Sequence, residues 1–365
     1  MTNLGYYLEN ILNFTDLAGL DLTLQNVLNP FNQPYYEFAA VLLIAVLADL
    51  IFQEPPTAIH PVVLIGKWIS FVKKHVPNSY KKLYGIFIGL STIFISGAGA
   101  FLILYLTNLD FVPAIIRVII QAFFLKATFA IRSMITPANA IYKEMKTTSE
   151  RENIRFELRT YVSRDTKKLS DEHIVSAIVE SISENYVDSI LSPIFYYAVF
   201  GPYGLIAAYC FKAASTLDSM VGYKDEIHKE IGWFSAKTDD VLNFIPARIS
   251  PVFLAIGAIC SNFIPKIKPK PEFSAKECIK CTIKYHSVSK SPNSGWSMAA
   301  AAGALKVKLV KEGEYVIGEL YEKVNIEDIK RISILLITSS VILVTIFLFV
   351  MTVIPYIFRF CFQIS

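Results

Sequence analysis

Charge and cysteine are both scarce in this chain. Asp, Glu, Lys and Arg make up 18% of its 365 residues, against 53% hydrophobic residues and a mean hydropathy of +0.45. That balance excludes an ordinary soluble composition. The charged share is nevertheless too large for a protein that is all bilayer, so the reading is an integral membrane protein with substantial polar loops. A net charge of +4 is too small to imply a nucleic-acid partner. The five cysteines, Cys210, Cys260, Cys278, Cys281 and Cys361, are odd in number and lack disulfide-scaffold spacing. They fit reduced thiols and a cytosol-facing active region. Cys278 and Cys281, with His286 nearby, lack the second pair a zinc site needs, and read as two thiols on one helix turn. A signal-peptide pattern is missing too: Met1 to Pro34 has no basic n-region and carries Glu9, Asp16 and Asp21. There is no P-loop Gly-Lys-Ser/Thr, no nucleophile elbow, no HExxH zinc helix, no internal repeat and no low-complexity tract.

What is present is a series of apolar segments. Tyr35 to Phe52, Tyr84 to Leu106, Phe111 to Ile135 and Ile332 to Phe358 are the spanning candidates. The third is interrupted by Arg117, Lys126 and Arg132, charges that should face protein or a polar cavity. Asp49, inside the first, is a functional candidate for the same reason. A polar helical region runs from Thr136 to Ser189. Ile190 to Ala214 is broken by Gly201-Pro202-Tyr203-Gly204 into halves too short to cross a ~30 Å core alone, so it is one kinked span or a re-entrant hairpin. Phe244 to Ile264 contains Pro246, Arg248 and Pro251, and Pro265 to Arg331 reads as a long Lys-rich loop region. Residues 1–34 read as an N-terminal extension, amphipathic or poorly ordered, and residues 35–365 as one membrane domain. Lysines in Gln53–Lys82 and Pro265–Arg331 place both on the cytoplasmic side of the cell membrane. An even number of crossings then separates Ser189 from Pro265. The reading favours none, with both intervening apolar stretches re-entrant or peripheral. The fold class is therefore all-α: a polytopic membrane protein with four spans and a polar helical cytosolic face.

Glu180, Glu184 and Asp188 recur every four residues, which makes one acidic stripe on a helix. Such pairs repel by roughly 0.2–0.5 kcal/mol each. Pro193 predicts a helix end near Leu191, where the macrodipole also disfavours anions. An arrangement of this kind calls for a cation: a metal, Lys or Arg. Ser170 is the expected N-cap, with Ile174, Ile178 and Ile182 on the opposite face. Asp239-Asp240-Val241-Leu242-Asn243 places two carboxylates and an amide within one turn, a set suited to Mg²⁺ that keeps water and phosphate ligands. Thr238 offers an N-cap that would explain part of it structurally. Arg248 is either a snorkelling anchor or an anion ligand. Ser215 to Tyr223 is a small-residue and hydroxyl cluster. His60 before Pro61 is the residue type of a structural turn. Ser291-Pro292-Asn293-Ser294-Gly295, ahead of an Ala-rich helix, is a turn whose N–H groups could face phosphate.

Taken in order, these strings resemble a known family. Asp49…Pro55-Pro56…His60-Pro61, Arg164-Asp165-Thr166, Glu180-Ser181-Ile182-Ser183-Glu184-Asn185…Asp188, Thr216-Leu217-Asp218-Ser219-Met220-Val221-Gly222-Tyr223, Asp239-Asp240…Asn243…Pro246-Ala247-Arg248 and Ser291-Pro292-Asn293-Ser294-Gly295 are similar to the CbiB (CobD) family. The similarity runs from about Ala48 to Gly318. Gln53-Glu54, Ser163 and Ser215 depart from the usual family residues.

The resemblance implies an adenosylcobinamide-phosphate synthase of cobalamin biosynthesis. Such an enzyme joins the carboxylate of adenosylcobyric acid to (R)-1-aminopropan-2-ol O-phosphate, or to aminopropanol, with ATP as cosubstrate and Mg²⁺ as cofactor. The corrinoid is substrate, and the implied surroundings are the lipid bilayer and the membrane cobalamin synthase. Carried onto this chain, the catalytic residues are Glu180, Glu184, Asn185, Asp218 and Arg248. Arg164, Lys212, Ser219, Asn243, Ser291, Asn293 and His60 hold substrate or phosphate, and Glu184, Asp188, Asp239 and Asp240 hold metal. Two other classes fit parts of the pattern: a membrane transferase for prenyl diphosphates, and a transporter. The first lacks a repeated Asp-rich motif here, and the second lacks inverted repeats.

Overall fold

The computed structural model describes residues 35–362, save 53, 149, 160, 161, 163, 223–228 and 265–271. The expectations for residues 1–34 and for Tyr223 fall outside that set. The helices are α1 (Tyr35–Ile51), α2 (Pro61–Lys73), α3 (Lys81–Thr107), α4 (Ala114–Lys126), α5 (Arg132–Thr147), α6 (Glu152–Leu158) and α7 (Asp171–Tyr186). A π-helical turn, Val187–Leu191, joins α7 to α8 (Ser192–Phe200). A 3₁₀ turn, Gly201–Tyr203, leads into α9 (Gly204–Val221). Then follow α10 (Trp233–Leu242), α11 (Phe244–Asn262), α12 (Ala275–Tyr285), α13 (Ser294–Leu305), three short strands and α14 (Glu327–Phe362).

Four helical stretches are long and apolar enough to cross a membrane: Lys81–Thr107, Asp171–Val221, Phe244–Asn262 and Glu327–Val353. The fold is thus an all-α polytopic membrane protein, as the composition requires. Asp171–Val221 doubles back on itself. The rings of Tyr196 and Phe211 stack with centroids 5.3 Å apart, whereas fifteen residues of straight helix would separate them by roughly 22 Å. Gly201 makes the reversal with φ +52, and Gly204 lies so close to the Tyr197 carbonyl that a Cβ there would overlap it. Of the two readings the sequence allowed for Ile190–Ala214, the hairpin is the one observed. Its returning arm, α9, packs along α3. Glycines of α3 let α9 and α10 approach closely. Gly97 faces Cys210, while Gly85 and Gly89 face Ile231 and Phe234 from the segment entering α10.

Phe111–Ile135 is not one span. Helix α4 stops at Lys126, the chain breaks at residues 127–131, and α5 begins at Arg132. The charges explain the break. Lys126 is buried in ion pairs with Asp49 and Glu54, and Asp49 Oδ2 accepts the N–H groups of Ile131 (2.9 Å) and Arg132 (3.0 Å). Asp49, read as a functional candidate, caps α5. The expected helix end near Leu191 is also corrected. Pro193 has no N–H to give the Ser189 carbonyl, and the helix answers with a π turn rather than a stop. The Ser189 carbonyl takes the Ala130 N–H at 2.9 Å, which ties this turn to the break between α4 and α5.

The described part of the Lys-rich segment, residues 272–331, is helix and sheet rather than one long loop. Helices α12 and α13 pair with each other and cover one side of α11. Strands β1 (Val307–Lys311), β2 (Tyr315–Ile317) and β3 (Glu322–Lys323) form a small sheet in the order β2-β1-β3. The register of β1 with β2 is antiparallel (Leu309 opposite Ile317), and β1 with β3 is parallel. The helical fold thus carries one small sheet that periodicity did not announce. Helix α11, expected to be re-entrant or peripheral, has the length and composition of a span, while packing on α12, α13 and α14.

Candidate active site

The acidic stripe begins on α7. Ser170 caps that helix by accepting the His173 N–H at 3.4 Å, and Ile174, Ile178 and Ile182 are buried, as their spacing predicts. The carboxylate face is not uniform. Glu180 is buried and fully engaged: it pairs with Arg164 and accepts the hydroxyls of Ser176 (2.7 Å) and Tyr315 (2.9 Å). Its cation is therefore Arg164, which makes the pair a brace between α7 and the strands. One turn on, Glu184 is exposed and its side chain makes no hydrogen bond or ion pair with any described residue. The charges acting on it are those of Lys311, Glu180 and Arg164. Asn185 turns back onto its own helix, donating to the Ser181 carbonyl at 2.9 Å.

Asp188 sits in the π turn, where the wider turn re-aims its side chain relative to a regular helix. It is within electrostatic reach of Asp239, Glu184, Lys212 and Asp218. Lys212 comes from α9 and is acted on by Asp188, Glu54 and Asp239. Asp218 lies one and a half turns further along α9 and packs against Gly222, where a Cβ would overlap its carboxylate oxygen. Three separate elements thus meet at one place: the π turn at 187–191, the arm α9, and α10.

Helix α10 starts at Trp233, so Thr238 is interior to it and is not the N-cap its position suggested. Asp239 and Asp240 point to different places. Asp239 Oδ2 accepts the Asn243 amide at 3.0 Å, while its buried Oδ1 has no hydrogen-bond partner among the described residues. Burial first, then the Asp218 charge, push the Asp239 carboxyl up to about 7 against the opposing Asn243 bond. Asn243 is itself fixed by the Ser192 hydroxyl at 2.6 Å, which links the Asp239 site to the start of α8. Asp240 instead lines a neighbouring cavity of about 710 Å³ and lies 3.5 Å from Lys237.

Arg248 borders the same cavity. Its Nη1 donates to the Phe244 carbonyl (2.8 Å) and to Asn293 Oδ1 (3.3 Å), and its guanidinium lies over the Phe244 ring at 3.4 Å and near Trp296 at 5.1 Å. Asn293 also donates to the Asp240 carbonyl at 2.8 Å, so one buried amide holds α10, α11 and the start of α13 together. Ser291 accepts the N–H groups of Asn293 and Ser294, both at 3.3 Å, and lines the cavity wall. Ser219 is exposed, and among the described residues its hydroxyl is bonded only to the Thr216 carbonyl within its own helix.

His60 stands apart from this group. Its Nδ1 accepts the Val62 N–H at 3.2 Å as the N-cap of α2, and its Nε2 faces Glu54 at 3.2 Å. The first bond leaves the proton on Nε2, so His60 is a structural cap in this arrangement. Glu54, passed over in the sequence, is the hub of that corner: His60, Lys126 and Ser133 all donate to it. Tyr315, Lys311 and Trp296 were missed as well. None lies in a charged repeat, and only the tertiary contact reveals them. The two cysteines of α12 are buried and unbonded to each other, and burial pushes both thiols up to about 12. They are inert packing residues.

Asp188, Asp218 and Asp239 offer carboxylate oxygens, the hard ligands Mg²⁺ prefers. Among the described residues, no three His, Cys, Asp or Glu side chains are close enough to hold an ion unaided. That is compatible with Mg²⁺ taking one or two carboxylates and filling its sphere with water and phosphate. The Asp239 oxygen without a partner fits such a ligand.

A polytopic helical membrane protein with a half-buried acidic centre at a π turn is the class this geometry defines. The model of the CobD/CbiB protein family matches residues 42–351, and the chain belongs to that family. It is 38% identical over 287 residues to the "Probable cobalamin biosynthesis protein CobD" of Methanothrix thermoacetophila, covering 76% of this chain and 85% of that protein. It is 34% identical over 286 residues to the "Cobalamin biosynthesis protein CobD" of Dehalococcoides mccartyi, covering 78% and 87%. With the protein of that name from Synechocystis the identity is 36% over 280 residues, covering 74% and 76%. No solved structure matches.

Proposed function

We propose that this chain is the amide-forming enzyme of its family, joining adenosylcobyric acid to an aminopropanol phosphate with ATP, on the cytoplasmic face of the cell membrane. The observation that carries the reading is the meeting of Asp188, Asp218, Asp239 and Lys212 beside a cavity bordered by Arg248. Carboxylates crowded together and partly shielded from water need cations, and a phosphoryl-transfer site supplies them.

A carboxylate is a poor electrophile and must be activated. In the reading favoured here, the substrate carboxylate oxygen attacks the terminal phosphorus of ATP, and ADP departs with the bonding electron pair. The amine nitrogen then attacks the acyl carbon, and phosphate leaves. Mg²⁺ held by Asp188 and Asp239 would supply charge neutralisation on the phosphates. Lys212 is placed to attract the substrate carboxylate, and Arg248 to grip a phosphate through its remaining N–H groups. Glu184, exposed and uncommitted, is the carboxylate available to take the proton the amine must lose. Glu180 and Arg164 act indirectly, by fixing α7 against β1 and β2. The prenyl-transferase and transporter readings gain nothing from the structure: Asp239 and Asp240 diverge rather than chelate together.

The test is an assay of the purified protein in lipid nanodiscs with adenosylcobyric acid, amine phosphate and ATP. ATP consumption should require both other substrates and match amide formed. Amide formation without ATP would remove the ligase reading.

A further inference from the structure

The 710 Å³ cavity beside the acidic centre has a composition that the reaction alone does not explain. Two tryptophans, Trp233 and Trp296, line it together with Lys229, Lys237, Arg248 and Lys290, against one carboxylate, Asp240, among the described residues. Its volume lies in the ~300–1,000 Å³ range of pockets that enclose a small organic ligand. A corrinoid macrocycle with its attached nucleoside is too large to be enclosed there. A lone phosphate or a phosphorylated three-carbon amine would leave the aromatic walls unused.

Trp296 carries an aromatic pairing with His286, with centroids 4.4 Å apart, and stands beside Arg248. Gly222 forms the side shared with the acidic centre, because it packs on Asp218. A ligand with a flat ring and a chain of phosphates matches this mixture of indole and cationic walls. The ring would lie against indole, and the phosphates would run past Arg248 and Lys237 towards Asp239 and Asp188.

We infer that this cavity is a nucleotide site that holds the base of a nucleoside polyphosphate at Trp296 and its phosphates at Arg248 and Lys237. The inference deepens the ligase reading and rests on it for the choice of a nucleotide. Aromatic stacking tolerates many bases because every base presents a π face. The site as built therefore selects for phosphate number and ring planarity more than for base identity.

Calorimetric titration of the full chain in nanodiscs with ADP, without Mg²⁺, tests it. Leaving out Mg²⁺ separates this cavity from the carboxylate centre. Trp296→Ala should weaken ADP binding roughly tenfold, and Trp296→Phe should restore most of it. Because Trp296 is packed, Lys237→Glu serves as the second variant: Lys237 is largely exposed, so its reversal leaves the fold intact and should weaken ADP comparably. Lys276→Glu, on the exposed face of α12, should leave ADP binding unchanged. Unaltered ADP affinity in both Trp296→Ala and Lys237→Glu would overturn the nucleotide site, while ATP-dependent turnover in the parent would keep the ligase reading. Loss of adenosylcobyric acid binding in those variants, with ADP unaffected, would also overturn it and assign the cavity to the corrinoid. Absence of any ADP binding by the parent, together with amide formation that needs no ATP, would remove both readings at once.

Discussion

The Arg164 guanidinium is ion-paired with the buried Glu180 carboxylate, and the Tyr315 hydroxyl donates to the same carboxylate at 2.9 Å. This three-way contact fastens the middle of α7 to β2. Glu180→Gln leaves Arg164 without its counter-charge in a largely buried position, a change that costs roughly 3–5 kcal/mol in comparable pairs. We predict a clear drop in the thermal unfolding temperature of the purified protein. Glu184→Gln, one turn away on the exposed side, should leave that temperature unchanged and abolish turnover. Equal destabilisation by the two variants would refute the division of labour between them.

Gly222→Ala tests the crowding at the centre. The added methyl would overlap the Asp218 carboxylate and its backbone carbonyl, so one of them must move. A displacement on the order of 1 Å at a reacting site can cost about 10²-fold in rate. We predict a loss of that order in kcat, with membrane insertion retained. Parent-like kinetics in Gly222→Ala would show that the position of Asp218 is immaterial.

Pro193→Ala restores an N–H that a regular helix would give to the Ser189 carbonyl, now bonded to Ala130. The π turn then loses its cause, and Asp188 should swing out of register with Asp239. The expected outcome is a protein that stays folded, loses much of its activity and shows faster amide exchange at Ala130. Unchanged exchange at Ala130 together with full activity would mean that the π turn persists without the proline.

Glu54 predicts an acid-sensitive corner. Burial works to raise its pKa, but hydrogen bonds from His60, Lys126 and Ser133 outweigh that and hold it at about 2, below its ordinary value of 4.5. A group depressed on folding adds stability above its unfolded pKa and loses it as pH falls. The contribution should be complete above pH 4.5 and fade between 4.5 and 2. In Glu54→Gln, the unfolding temperature should fall less steeply across that window than in the parent. Parallel curves would contradict the assignment.

Much of this was readable from residue order because it is periodic. The cap at Ser170, the isoleucine stripe and the long spans at α3 and α14 follow from spacing alone. The failures came where one side chain outweighs a pattern. Lys126 and Asp49 end an apolar run that hydropathy joins into one span, because each finds an opposite charge or open backbone N–H groups only after folding. Pro193 reads as a stop, yet a neighbouring N–H from Ala130 satisfies the carbonyl it orphans. At the candidate site, charge spacing singled out Glu184, Asp188 and Asp239. It could not tell that Glu180 is already paired or that Asp240 turns away from Asp239, because those facts depend on Arg164 and on the packing of α10. Trp296 and Tyr315 carried no local signal at all.

The central claim is that the carboxylates gathered at the π turn serve ATP-dependent amide formation, and Asp239→Asn addresses it most directly. The substitution keeps the shape and removes the charge, and the parent oxygen at issue accepts no hydrogen bond from any described residue. Amide formed and ATP consumed should be measured for both proteins across a Mg²⁺ titration, with unfolding temperature as the control. The account predicts a folded Asp239→Asn protein whose turnover is lost at every Mg²⁺ concentration, beside a parent that consumes one ATP for each amide. Parent-like turnover and Mg²⁺ dependence in Asp239→Asn would contradict it.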